Sequence, residues 1–262
     1  MLEAVLPLLR CPRCASASLD AGRRALSCRA CGSRFAERAG IFDLLGEDTR
    51  LVITPFQRIM QTPAVASIYE RAWRPLGYRL ASSRAFSSEV AAVLALLQTG
   101  DQGRVLDVAC GTGVFARRLA GRGGGPVVGF DLSWPMLNRA RRLAAREGLA
   151  NLVLLRGTVF RLPFIDAAFP SVNCCGALHL FDRPEEALAE IGRVLCRGGR
   201  LALQTALRPA RTSLLFRALE RSIRFGSFEE GELREMLRGQ RLEVLESERH
   251  GISCTLLARK AA

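Results

Sequence analysis

Arg104-Val-Leu-Asp-Val-Ala-Cys-Gly-Thr-Gly-Val-Phe-Ala-Arg-Arg-Leu119 is the stretch from which the rest of the chain can be read. Val105 to Val108, apolar apart from Asp107, predicts a buried strand; a Gly-Thr-Gly turn follows, and Val114 to Ala120 starts a helix. Gly111 and Gly113 lack a Cβ, so the backbone can turn sharply and approach a ligand closely. Asp107 lies near the carboxyl end of the strand, the end at which open α/β sheets bind ligands. About twenty residues on, Val127-Val-Gly-Phe-Asp131 reads as a second buried strand ending in an acid, and an acid there can take both hydroxyls of a ribose. Strand, glycine turn, helix, strand and acid make a nucleoside-binding half-fold, so an adenosine-type cofactor is expected.

The turn itself narrows the cofactor. A dinucleotide fingerprint needs three glycines as G-x-G-x-x-G, and here Ala116 stands where the third would be. A phosphate-binding P-loop needs Gly-Lys-Ser/Thr, yet Lys260 is the only lysine of the chain. Asp107 would repel a phosphate but attract the ammonium of an amino-acid cofactor. These residues resemble motif I of the class I S-adenosylmethionine (SAM) methyltransferases, of the methyltransferase type 11 kind. The resemblance implies SAM as cofactor, with Asp107, Ala109, Cys110, Gly111 and Gly113 forming its loop. Asp131 in Gly-Phe-Asp-Leu-Ser133 resembles the family's ribose acid, and Leu132 would flank the adenine. Arg156-Gly-Thr-Val159 brings Thr158 and Val159 to the adenine side, with Thr158 where the family usually has an acid. Phe169-Pro-Ser-Val172 departs again, with Pro170 in place of an aspartate, whereas Gly176-Ala-Leu-His-Leu180, Glu190 to Leu195 and Gly198-Gly199 follow the family.

The cysteines report a second site. Cys11-Pro-Arg-Cys14 and Cys28-Arg-Ala-Cys31 form two C-x2-C knuckles separated by thirteen residues. Each pair can turn two thiolates toward one ion, and four sulfurs close the shell of a tetrahedral zinc, so the expected Zn2+ is structural rather than catalytic. Nine cysteines in a presumed reducing compartment argue against a disulfide framework. The other five read as small core residues, Cys110 alone lying in the cofactor turn.

With 262 residues the chain has room for a large domain and a small one. The expected division is a zinc ribbon over 1–42, a linker and helical lid over 43–100 and the SAM-binding domain over 101–262. Two lid helices are expected, Ala64 to Trp73 and Ser82 to Gln98. Beyond residue 104 strands and helices alternate, with helices over 133–147, 184–195, 213–225 and 229–237 and a closing antiparallel hairpin. The expected architecture is α/β: a Rossmann-like, seven-stranded, mostly parallel sheet with the ribbon and lid attached.

The formal net charge is +13, but blocks of about fifty residues carry only +1 to +4 each, so there is no basic tail. No apolar run approaches the ~20 residues of a membrane helix, so no membrane insertion is expected. Met1 to Arg10 is too short and lacks the basic start of a secretory signal, which makes a cytoplasmic protein the expectation.

Two side chains are candidates near the chemistry. His179, just beyond the fourth strand, is placed to orient or deprotonate an acceptor or to cap the pocket wall. Tyr69, on the lid, is placed to touch substrate or to pack on the sheet. Ribbon, linker and sheet together resemble the zinc-ribbon methyltransferases of plastids and bacteria, and more distantly the rRNA guanine-N1 methyltransferases. Three readings stay open: a methyltransferase for a small-molecule acceptor, one for rRNA with arginines on phosphates, and a non-catalytic SAM-fold interaction protein. The sequence leaves the oligomeric state open.

Overall fold

The computed structural model of the protein describes residues 2–45, 54–97, 103–209 and 226–262. The helix expected over 213–225 and most of the turn expected over 98–103 lie outside them. The described strands are β1 Leu19–Ala21, β2 Ala25–Cys28, β3 Arg34–Arg38, β4 Ile41–Asp43, β5 Val105–Val108, β6 Val127–Asp131, β7 Leu152–Arg156, β8 Phe169–Cys175, β9 Leu195–Ala206, β10 Leu242–His250 and β11 Ser253–Lys260. They form one sheet in the order β1-β2-β3-β4-β7-β6-β5-β8-β9-β11-β10.

All four residues of β5 are buried, as they must be in a central strand with parallel neighbours on both sides and helices on both faces. From β7 to β10 the sheet contains the seven expected strands. It then runs on through β4 into the three ribbon strands, so the whole has eleven strands rather than seven. The seven expected strands are mostly parallel, with the antiparallel hairpin at their end, and the added ribbon strands are antiparallel up to β4, which pairs parallel with β7. The physical reason lies in Ile41-Phe42-Asp43: Phe42 and Asp43 pair with Leu155 and Arg156 of β7, and Leu44 N donates to Arg156 O at 2.8 Å. An edge strand of the domain thereby finds its partner in the ribbon.

The ribbon is welded on at a second place. Leu9 bridges Phe164, Arg10 N donates to Pro163 O and Ile165 N donates to Leu8 O. Leu9, Leu26 and Phe35 of the ribbon share one buried cluster with Phe130, Phe164 and Phe169.

Two positions that look unfavourable in the sequence are harmless. Pro170 lies in β8 before its ladder with β5 begins at Ser171, and opposite an irregularity in β9 between Leu195 and Arg200, so no neighbour requires its missing N–H. Gly198-Gly199 lies in that irregularity rather than in a turn before the strand, which lengthens β9 beyond the expected 200–205.

The helices are α1 Leu2–Val5, α2 Pro55–Met60, α3 Pro63–Ile68, α4 Arg74–Ser82, α5 Phe86–Leu97, α6 Val114–Ala120, α7 Trp134–Arg146, α8 Pro184–Val194 and α9 Glu230–Gly239. The lid differs from the two helices expected. Thr54 caps α2, its side chain taking the Gln57 N–H while Gln57 returns a bond to Thr54 N. Thr62 caps α3, with Pro55 and Pro63 at the first turns. Tyr69–Trp73 is then a π-turn in which Arg74 N donates to Tyr69 O, leading directly into α4. Pro75 follows, and lacking an N–H it cannot complete an ordinary helical turn, so the wide turn absorbs it. Ser83, in the left-handed region, ends α4.

Candidate active site

One cavity of about 820 Å³ opens at the carboxyl ends of β5, β6 and β7, a size typical of small-molecule sites, which span roughly 300–1,000 Å³. Three parts of the chain wall it. The sheet contributes Gly111, Asp131 and Thr158, the lid Gln57 and Tyr69, and the ribbon Arg34 and Phe35.

The glycine turn is built by its backbone. Gly111 and Gly113 have φ of +55° and +76°, and Gly113 N donates to Cys110 O at 2.8 Å. A Cβ on Gly113 would come within 3.2 Å of the Ala140 Cβ, so α6 and α7 pack here only around a glycine. Ala109 also has a positive φ, +54°, and lines the cavity. Cys110 points inward, buried among Ile41, Leu137 and Leu154, and burial pushes its thiol pKa up.

Asp131 closes β6 with its carboxylate already oriented. Gly111 N donates to Oδ2 and Ser133 N to Oδ1, each at 2.8 Å. Burial raises its pKa, while the backbone donors at Ser133, Gly111 and Leu132 hold it down. Leu132 lines the cavity, and its carbonyl accepts from Arg156 Nε at 2.9 Å. Thr158 and Val159 line the adjoining wall; the Thr158 hydroxyl accepts from Phe160 N at 3.4 Å and caps a short 3-10 turn, Val159–Arg161.

Asp107 has a different place. It is 1% exposed, beneath the turn rather than in the cavity wall. Ala116 N donates to its Oδ2 at 2.9 Å and Asn173 Nδ2 to its Oδ1 at 2.6 Å. Burial raises its pKa to about 7 against those two donors. The carboxylate thus ties the strand end to α6 and β8 and braces the loop. Asn173 was missed in the sequence; a fully buried amide within an otherwise apolar strand was the available signal.

Tyr69 reaches the site and His179 does not. Tyr69 lines the cavity, its ring carbon 3.9 Å from where a Cβ on Gly111 would sit, so the lid rests on the glycine turn. Burial raises its pKa, and the nearby Arg74 opposes the shift. His179 is buried outside the lining, with Nδ1 3.4 Å from Thr205 Oγ1. Burial and the nearby Arg74 lower its pKa to about 3.

Arg74 and Glu89, both overlooked in the sequence, form a buried ion pair at 3.0 Å behind Gly176. Gly176 has φ of +80°, and the Arg74 guanidinium occupies the space a side chain there would need. Glu70 of the π-turn takes both oxygens to Arg117 of α6 at 2.7 Å.

In the ribbon, Cys11, Cys14, Cys28 and Cys31 gather as expected, all four sulfurs within 4.8 Å of one another. Cys11 and Cys31 are 3.7 Å apart and Cys14 and Cys28 3.6 Å. Among the described residues, no single helix is long and apolar enough to cross a membrane.

A glycine turn over a sheet end, a strand-terminal acid beside it and a lid resting on the turn thus meet at one site. Residues 105–199 match the family model described as a methyltransferase domain. An uncharacterised chloroplast methyltransferase of Arabidopsis thaliana is 28% identical over 195 residues, covering 71% of this chain and 55% of that protein. The demethylmenaquinone methyltransferase of Thermus thermophilus is 44% identical over 101 residues, 38% of this chain and 46% of that protein. The chain spans about half the length of these curated relatives. Among solved structures, geranyl diphosphate C-methyltransferase from Streptomyces coelicolor, in complex with Mg2+, geranyl diphosphate and S-adenosyl-L-homocysteine, superposes with a TM-score of 0.61. At 16% identity over 68% of this chain and 78% of that one, that likeness carries the fold alone.

Proposed function

We propose that the protein transfers a methyl group from SAM to a small-molecule acceptor and carries a structural zinc in its ribbon. The observation that carries the first half is the cavity itself, which joins the Gly111 turn to an acid prepared by two backbone donors. The residues fit the cofactor: Gly111 leaves the approach open, and Asp131 offers its remaining lone pairs to ribose hydroxyls. Thr158 and Val159 would face the adenine, and the ammonium end would meet the turn that Asp107 braces. Two relatives, a demethylmenaquinone methyltransferase and a geranyl diphosphate C-methyltransferase, are named for small molecules, and a cavity of this size supports a small-molecule acceptor here.

Bound SAM supplies an activated methyl on a sulfonium, which leaves the chain to bind, align and exclude water. Tyr69, kept a phenol by its raised pKa, would close the turn from above and offer a hydroxyl to the acceptor. His179 is a poor general base, because a pKa near 3 is far from the operating pH and it lies off the cavity. The reaction therefore does not run through this histidine.

Four sulfurs with the observed spacings suit one zinc, since tetrahedral Zn–S bonds of about 2.3 Å put neighbouring sulfurs about 3.8 Å apart. Calorimetry with SAM and S-adenosyl-L-homocysteine tests the cofactor half. One-to-one binding is expected, and none at millimolar ligand would overturn it. Metal analysis should find one zinc per chain, lost in Cys11→Ser; a metal-free folded protein would overturn the second half.

A further inference from the structure

The cavity also holds positive charge in its lining that neither Asp131 nor the glycine turn answers. Arg34 on β3 and Arg161 in the turn after β7 both line it. Both are exposed, and neither has a carboxylate partner among the described residues, whereas the half-buried Arg10, Arg74, Arg156 and Arg193 and the buried Arg117 each face one. Arg161 Nη1 donates to the Pro12 carbonyl at 3.0 Å, which fixes the guanidinium against the first cysteine knuckle without neutralising it. Arg13 and Arg183 line the cavity as well, and Arg183 is already answered by Glu186 and Asp182. The lining contains two acids; Glu186 is spent on Arg183, and Asp131 lies at the nucleoside end.

Apolar rings adjoin these charges. Phe160 and Phe181 meet edge to face with centroids 6.1 Å apart, and Arg183 stacks 4.1 Å over Phe160. Phe35, on the same strand as Arg34, lines the cavity from the ribbon side.

We infer that the methyl acceptor is a compact anion, with a carboxylate or phosphate on a flat apolar body, held by Arg34 and Arg161 against the Phe160–Phe181 wall. This rests on the methyltransferase reading and adds the class of acceptor to it. Guanidinium is the side chain best matched to planar, paired oxygens, and two of them on one cavity wall can share one anion. A cavity of about 820 Å³ is the size of a small-molecule site. The ribbon thereby becomes a wall of the acceptor site, with Arg34 and Phe35 as specificity residues on a metal-braced support.

The test uses two dyes of one shape on the full-length, zinc-containing protein saturated with S-adenosyl-L-homocysteine: anionic 8-anilinonaphthalene-1-sulfonate and neutral N-phenyl-1-naphthylamine. The anionic dye is expected to bind about tenfold more tightly, and R34Q/R161Q to bring the two affinities within about threefold. The affinity for S-adenosyl-L-homocysteine should stay within about twofold in that variant, since Asp131 and the Gly111 turn are left intact. Equal affinities in the native chain, or a preference that survives the double variant, would overturn the inference alone. Displacement of the anionic dye by an rRNA fragment, with a steep salt dependence, would overturn it in favour of a polyanion. Failure of S-adenosyl-L-homocysteine itself to bind would bring down the methyltransferase reading and the inference together.

Discussion

Asp107 and Asp131 stand at the ends of neighbouring strands, and the fold uses them in different ways. Asp131 faces the cavity with both oxygens held by backbone donors, so it is ready to accept two more bonds. Asp131→Ala should weaken SAM affinity about 10- to 100-fold by calorimetry, because charge-assisted hydrogen bonds are worth roughly 1.5–3 kcal/mol. An unchanged affinity would mean that the nucleoside lies elsewhere. Asp107 is buried with a pKa raised from 3.8 to about 7. Between those values the folded protein holds a proton that the unfolded chain has released. Stability from this group is therefore fully present at low pH and is lost as pH rises toward 7 and just above. His179 acts in the opposite direction. Its pKa falls from 6.5 to about 3, so the unfolded chain takes up a proton first and stability is lost as pH drops below about 6.5. Thermal melts between about pH 6.5 and 8 should show a downward slope, partly opposed by the histidine near pH 6.5, that Asp107→Asn flattens. His179→Asn should leave the methyl-transfer rate at pH 7.5 within about threefold, as expected of a residue whose proton is out of range. The acid at 131 was legible in the sequence because its role needs only a place at a strand end. The distinction between the two acids was not, because it depends on Asn173, sixty-six residues away, reaching Oδ1.

At the scale of the element, the lid turns on five residues. The π-turn Tyr69–Trp73 carries Tyr69 to the glycine turn and Glu70 to Arg117, and it delivers Arg74 to Glu89 and Gly176. Its helical character could be read from spacing, but its width could not, since π-geometry answers to Pro75 and to three tertiary contacts at once. Arg74→Met should destabilise the chain by about 3–5 kcal/mol in denaturant melts, because it strands Glu89 as a buried carboxylate. Adding Glu89→Gln should recover part of that loss. If the double variant is instead as unstable as the sum of the singles, the pair is not coupled and this reading of the lid fails. The strands of the central sheet were legible because apolar runs bounded by turns have few alternatives; the β4–β7 pairing was hidden because Ile41-Phe42-Asp43 is too short to announce a partner.

For the whole molecule, the ribbon and the methyltransferase domain share strands, ion pairs and apolar core. Asp43 meets Arg156 at 2.8 Å, and Phe35 lies in the same cluster as Phe130. Metal removal should therefore act on the entire chain. A chelator that strips the ribbon is expected to lower the melting temperature of the central sheet in a single transition, read by near-ultraviolet circular dichroism. Two separate transitions, with the domain's unchanged, would show the two parts to be energetically independent.

An eleven-stranded sheet still has two open edges, and each is blunted by different means. β1 is three residues long, too short to template a neighbour. β10 is longer, but Glu243, Glu246, Glu248 and Arg249 are exposed along it, and a charged rim resists further strand addition. The consequence is colloidal: the fold extends its sheet at one end into the strands beside the four-cysteine cluster and repels self-association at the other. Replacing those glutamates with valine would leave the cavity untouched while turning the rim into a surface on which copies of the chain adhere.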